Sequence, residues 1–356
     1  MDMRAKKIMV AVVACAAMAS VENVAEACTR VVYRGDNGIV ITGRTLDWKT
    51  PIGTNLYVLP RGMERAAYDT PDAISGVLKY GSVVSVGYDA GVNEGMNEAG
   101  LTCNLLFLPG TVYSRGDNDT RPYMSTAVWV QYVLDNFATT REAVETLKTD
   151  FFQISAPTMP DGASPTLHMA ISDADGYSAV IEYADGVAQI HEGYDVNVVT
   201  NAPPYEQQVA VDAYWKSVGG MNMLPGTNRS SDRFARAKFY VGALPKDTTI
   251  DKALAGVFGV LYNCSVPSGI SVPDQPEISS TQWRSVADQT NKVYYYEQVG
   301  MPSIIWVDLK EFDLYNGAPV MKLDLINRGN KTYMGDVIRD MKRSEPFKPM
   351  YRVPEA

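Results

Sequence analysis

Two β-rich runs, Thr29 to Arg34 and Ile39 to Arg44, flank Gly35-Asp36-Asn37-Gly38. Those four residues are a strong turn signal, so the segment predicts a hairpin. A turn centred on Asp36-Asn37 would place Cys28 opposite Thr45, with Arg44 and Asp47 close by. Gly81 to Tyr88 and Leu101 to Leu108 read as further apolar strands, with Asn93 to Gly100 as the connection between them. Ala127 to Phe137 has helical periodicity, and the capping box Thr139-x-x-Glu142 opens a second helix running to Lys148. The pattern then becomes a meander: Leu167 to Ser172, Tyr177 to Tyr183, Val187 to His191 and Val196 to Thr200. Gly219 to Arg229 reads as a loop and Arg233 to Leu244 as a helix, and strands return at Val293 to Tyr296 and Ile304 to Leu309. Strands outnumber helices without βα alternation, which predicts a layered α+β fold rather than a doubly wound sheet.

Residues 1–27 have the three parts of a secretory leader. Arg4, Lys6 and Lys7 begin it, Ile8 to Ala19 is apolar, and Ala25-Glu26-Ala27 is a small-x-small cleavage pattern. Cutting there makes Cys28 the first residue of a single mature domain, 28–356, exported to the periplasm or beyond. The competing pattern Val12-Val13-Ala14-Cys15 resembles a lipobox and would lipidate Cys15 instead. Against 32 basic residues stand 41 acidic ones, a net charge of −9 with no basic stripe. That excludes nucleic acid as an expected partner. With two histidines in the chain, a histidine-based zinc site is not expected, nor is any other metal or cofactor. His168, between apolar neighbours, reads as a core residue. Cys103 and Cys264 could pair in an oxidising compartment.

An N-terminal cysteine carries a nucleophile and a general base in one residue. Its α-amine, with a pKa near 7.7–8.0, can take the thiol proton and later return it to a leaving amine. Arg44 would stabilise the thiolate, and Asp47 would accept a hydrogen bond from the amine. The reaction class is acyl transfer to water, most simply amide hydrolysis. Without that cleavage Cys28 stays internal and the same chain would read as a secreted binding protein.

Cys28-Thr29-Arg30 followed by Gly43-Arg44-Thr45-Leu46-Asp47-Trp48 resembles the opening of the choloylglycine hydrolase and penicillin V acylase family of N-terminal-nucleophile hydrolases. Further similar blocks follow in order: Gly95 to Leu101, Tyr132 to Phe137, Val199 to Pro203, Leu224 to Phe234 and Ser280 to Arg284. The resemblance implies a four-layer αββα sandwich, often assembled as a homotetramer. It implies Cys28 as nucleophile, Arg44 and Asp47 beside it, the Asn201 amide and the Phe107 backbone N–H as oxyanion donors, and Arg233 completing the charged set. An apolar Phe107 resembles the Gram-negative branch of the family. Leu46, Ile52, Phe107 and Leu108 are the expected apolar contacts for the acyl group. Substrates implied are glycine- or taurine-conjugated bile salts, penicillin V and N-acyl homoserine lactones. The aliphatic, phenylalanine-bearing run Leu105 to Leu108 points toward the bile salts.

Overall fold

The computed structural model describes residues 28–351 apart from 72, 117, 159–161, 163–165 and 272–278. The leader and its cleavage pattern, and Cys15, lie outside the described residues.

Two large sheets stack face to face. The first has seven strands, running β10 (Val198–Val199), β1 (Thr29–Arg34), β2 (Val40–Trp48), β11 (Ser280–Asp288), β12 (Val293–Gln298), β13 (Ile305–Asp308) and β15 (Gly335–Asp336) from edge to edge. Nine strands form the second, in the order β9 (Val187–Gly193), β8 (Ser178–Ala184), β7 (Leu167–Ser172), β6 (Thr102–Phe107), β5 (Gly91–Asn97), β4 (Ser82–Gly87), β3 (Thr54–Leu59), β14 (Met321–Leu323) and β16 (Lys342–Arg343). Helices α1 (Thr126–Asn136) and α2 (Thr140–Leu147) cover the outer face of the nine-stranded sheet. On the outer face of the other sheet lie α4 (Ser230–Ala243) and α5 (Ile250–Cys264), with α3 (Tyr205–Val218) packed on α4. This is the expected αββα arrangement.

Period-2 alternation builds the layers. In β3, Leu56 and Val58 turn toward the seven-stranded sheet, whereas Tyr57 and Leu59 join Trp129 and Val133 of α1. The same division separates Leu106 from Cys103 and Leu105 in β6. Cys103 and Cys264 fall in different clusters and both thiols are free, so the two do not pair. His168 is fully buried, its Nδ1 2.9 Å from Glu182 Oε1.

Several elements differ from the sequence reading. The hairpin turn uses three residues: Gly35 N–H donates to Ile39 C=O, and Gly38 takes the left-handed conformation (φ 81°) that closes such loops. The register therefore sets Thr29, not Cys28, opposite Thr45, and Arg30 opposite Arg44. Asn93 is not in a connection but inside β5. Its glycines and asparagines read as a turn, yet Asn97 donates to the carbonyls of Leu134 and Phe137 (2.9 and 2.8 Å), tying β5 to the end of α1. Strands β3 and β11 and helices α3 and α5 have no counterpart in the reading. On β2, Gly43 lets α5 approach closely, since a Cβ there would stand 2.6 Å from Val257.

Candidate active site

Cys28 immediately precedes β1, at the end of the seven-stranded sheet, and is 4 % exposed. Alternation along β2 puts Arg44 and Leu46 on one face and Thr45 and Asp47 on the other, so the residue beside the strand end is met from both sides. Arg44 reaches it from between the sheets: Nη2 lies 3.8 Å from Cys28 Sγ and donates to Leu105 C=O (2.5 Å), while Nη1 pairs with Glu94 Oε2 at 3.0 Å. From the helical side comes Arg233 of α4, whose Nη1 donates to Cys28 C=O (2.5 Å) and Thr29 Oγ1 (2.6 Å). Asn201 closes the set. Its Oδ1 accepts from Cys28 N–H at 2.6 Å and from Arg233 Nη2 at 3.0 Å. All five charged, nucleophilic and amide residues singled out in the sequence thus converge on one place.

Burial pushes the Cys28 thiol above its ordinary value; the Arg44 charge opposes that rise and Asp47 adds to it. Asp47 is itself raised to about 6 by burial, against the pull of Arg233, Thr281 and Thr45. Its Oδ2 accepts from Thr45 Oγ1 (3.0 Å), while Oδ1 has no hydrogen-bond partner among the described residues. Burial lowers Arg233 in turn, with Asp47 opposing. Both members of this pair shift toward neutrality, as expected where desolvation exceeds mutual attraction.

The Phe107 backbone is placed by its strand ladder. Leu108 N–H donates to Thr166 C=O (2.9 Å), and the N–H and C=O of Leu167 both bond the Tyr113 hydroxyl (2.5 and 2.8 Å). The opposed residues Phe107 and Leu167 therefore exchange no ladder bonds. Their backbone groups face away from each other, and those of Phe107 face the edge where pairing with β5 has ended, at Glu94–Asn104. On that edge Asn201 Nδ2 donates to Phe107 C=O at 2.8 Å. A strand N–H and a side-chain amide thus lie on one side of the chain next to Cys28.

Cys28, Arg44 and Asp47 open into a cavity of about 100 Å³ walled by Leu46, Trp48, Ile52, Tyr88, Leu105, Phe107 and Leu167, with Thr126 and Ala127 of α1. The Trp48 and Phe107 rings meet edge-on, centroids 5.7 Å apart. Leu46, Ile52 and Phe107 are where the sequence reading expected them. Leu108 is not: one residue beyond Phe107, it turns to the opposite face of the strand and lines a separate cavity with Glu182 and His191.

Sequence reasoning passed over two groups here. Tyr88 enters the wall from a turn in which both Tyr88 (φ 53°) and Asp89 (φ 56°) are left-handed. The Asp89 carboxylate secures that turn, accepting from Asn55 Nδ2 (3.1 Å), Tyr57 Oη (2.6 Å) and Lys322 Nζ (2.7 Å). Glu94, 1 % exposed, was hidden because its segment read as a loop. An acidic residue between Val92 and Met96, on alternate positions of a strand, is the signal that would have marked it.

A family model for linear amide C-N hydrolases, the choloylglycine hydrolase family, matches residues 28–327. A curated protein described as penicillin V acylase, from Pectobacterium atrosepticum, is 39% identical over 343 residues, covering 90% of this chain and 91% of its own. A bile salt hydrolase/transferase from Bifidobacterium longum is 24% identical, over 81% of this chain and 96% of its own. Among solved structures, penicillin V acylase from Agrobacterium tumefaciens superposes with a TM-score of 0.85 at 46% identity, covering 91% of this chain and all of that one. A conjugated bile acid hydrolase mutant from Clostridium perfringens shares the fold at 22% identity, with a TM-score of 0.72 over 86% of this chain and 98% of that one. On the extent of the family match and the identity to the Pectobacterium protein, the chain belongs to the choloylglycine hydrolase family of linear amide C-N hydrolases.

Proposed function

We propose that the mature chain starts at Cys28, is exported, and hydrolyses amides whose acyl group carries an aromatic ring, as in the phenoxyacetyl group of penicillin V. The α-amine of Cys28 takes the thiol proton and Sγ attacks the amide carbonyl. The oxyanion accepts from Asn201 Nδ2 and the Phe107 N–H. On collapse the C–N bond breaks, the amine leaves with the proton, and water cleaves the thioester to regenerate the thiol. A freed α-amine has more hydrogens than the peptide N–H that now bonds Asn201, and the open Asp47 Oδ1 is an acceptor suited to one of them.

The observation carrying the substrate assignment is the wall of the cavity, where Trp48, Tyr88 and Phe107 line the same space as Cys28 and the Trp48 and Phe107 rings meet edge-on. Of the run Leu105 to Leu108, Leu105 and Phe107 line this cavity, Leu106 is not among its walls, and Leu108 lines a separate one. Aromatic walls suit a flat ring through edge-to-face contact. The relatives at 39% and 46% identity, both described as penicillin V acylases, favour the same reading over the bile-salt preference drawn from sequence. The test compares kcat/KM for penicillin V, glycocholate and taurocholate with protein beginning at Cys28. Preference for penicillin V is expected; preference for either conjugate would replace the ring-bearing acyl group by a sterol.

A further inference from the structure

We propose that Glu94 is the positioning residue that aims Arg44 at the Cys28 thiol, an inference that rests on the reading of Cys28 as nucleophile. Both carboxylate oxygens are occupied. Oε2 accepts from Arg44 Nη1 and Asn104 Nδ2, each at 3.0 Å, and Oε1 accepts from Tyr294 Oη at 2.6 Å and from Ser285 Oγ. These donors come from β2, β6, β11 and β12, so one carboxylate of β5 gathers groups from both sheets. Asn104 extends the chain of contacts by accepting from Arg30 Nε (2.7 Å), and Arg30 Nη2 donates to Ser172 Oγ (2.6 Å).

Arg44 needs such an anchor. A guanidinium on a flexible stem loses much rotamer freedom when fixed, and its contact with the sulfur, at 3.8 Å, is long. With Nη1 held by Glu94 and the guanidinium over the Trp283 ring at 5.2 Å, the planar fork leaves Nη2 pointing at Leu105 C=O and the thiol. Among the described residues Glu94 is the side chain that holds Arg44 Nη1; its remaining bond, to Asn93 C=O, is 3.3 Å.

Through-space charge and positioning predict opposite signs. Removing a negative charge near the thiol would by itself favour the thiolate, whereas releasing Arg44 disfavours it. In the mature chain the other charged groups near the thiol are its own α-amine, Asp47 on β2 and Arg233 on α4; those near Glu94 are Arg44 and Arg30, with Tyr294 and Tyr296 of β12 also titratable there and Cys103 on the opposite face of β6.

The experiment measures iodoacetamide labelling of Cys28 against pH by mass spectrometry, together with kcat and KM, in mature wild type, Glu94→Ala, Glu94→Gln and Tyr294→Phe. In Glu94→Ala the labelling midpoint should move up by about one unit, as for loss of a neighbouring opposite charge, with kcat roughly 100-fold lower and KM within about threefold. Glu94→Gln should recover most of the rate, because its amide oxygen can still accept from Arg44 while the two hydroxyls rotate to meet its N–H groups. Tyr294→Phe, which removes one anchor of the carboxylate and keeps the ring in the core, should shift the midpoint in the same direction by less. A midpoint that stays put or falls in Glu94→Ala overturns the proposal; if that variant does not fold, an unmoved midpoint in Tyr294→Phe does so. Wild-type protein that still hydrolyses substrate after Cys28 is fully labelled would instead defeat the nucleophile assignment on which the proposal rests.

Discussion

The two faces of the nine-stranded sheet have opposite chemistry. Outward, toward α1 and α2, Val84, Cys103, Leu105, Met169 and Ile181 meet Trp129, Val133 and Val144 in an apolar layer. Inward, toward the seven-stranded sheet, the same strands present Glu94, Asn104 and Ser172 to Arg30, Arg44, Ser285 and Tyr294, alongside apolar residues such as Leu56 and Val83. Both faces are closed to water. The apolar layer derives stability from area removed from water. The polar one gains little on that count, because buried ionic networks roughly balance attraction against desolvation. What it supplies is direction, and the candidate active site stands at its end. Stability and orientation are thus drawn from opposite sides of one sheet.

Deleting the largest side chain of the apolar layer should break that division most severely if it is wrong. Trp129→Ala is expected to cost about 3–5 kcal/mol of unfolding free energy, read by urea denaturation, while kcat/KM of the folded fraction stays near wild type. A comparable energy at the site toward which the polar layer is directed should appear only in the barrier: Asn201→Ala should lower kcat by about 100- to 1,000-fold with a far smaller change in denaturation midpoint. An equal loss of stability in both variants would erase the distinction. The smallest effect concerns pH. Burial raises both Asp47 and Asp135 to about 6, the latter against Arg65, whose Nε is 3.0 Å away. Each carboxyl is held protonated more firmly in the folded chain than in the unfolded one. The stability this contributes is full below about pH 3.8 and is lost as pH rises through about 6. Asp135→Asn, on α1, should flatten the decline of unfolding free energy between pH 4 and 7, by on the order of 1–3 kcal/mol, and leave the pH–rate profile where it was. Movement of that profile would mean that the outer layer also reaches the chemistry.

Much of this was legible from residue order because the site is built where the chain is locally regular. Cys28, Arg44 and Asp47 belong to one hairpin, so the turn Asp36-Asn37-Gly38 and the strand period already bring them together. Asn201 and Arg233 lie more than 170 residues on, and only the family resemblance identified them. Side-chain facing was misjudged at Leu108 because a cavity wall follows strand parity, not proximity in sequence. Glu94 escaped because its partners come from four other strands, and no local pattern encodes a contact such as Glu94 to Tyr294, 200 residues apart. Helix α5 was missed with glycines at 256 and 259 in its interior, although Ala253, Leu254, Val257, Phe258 and Leu261 make an apolar stripe.

The turn at Tyr88 and Asp89 keeps two non-glycine residues in a backbone region that costs each of them about 1–3 kcal/mol. Glycine would relieve that cost but could supply neither the tyrosine that lines the cavity nor the carboxylate that binds Lys322, 233 residues away. The bonds from Asn55, Tyr57 and Lys322 hold the turn in place before any substrate arrives. The acyl ring of the proposed substrate would therefore meet a wall with little freedom left to lose, and more of its contact energy would be kept as affinity. In this way a short strand late in the chain, β14, steadies a cavity wall that it does not line.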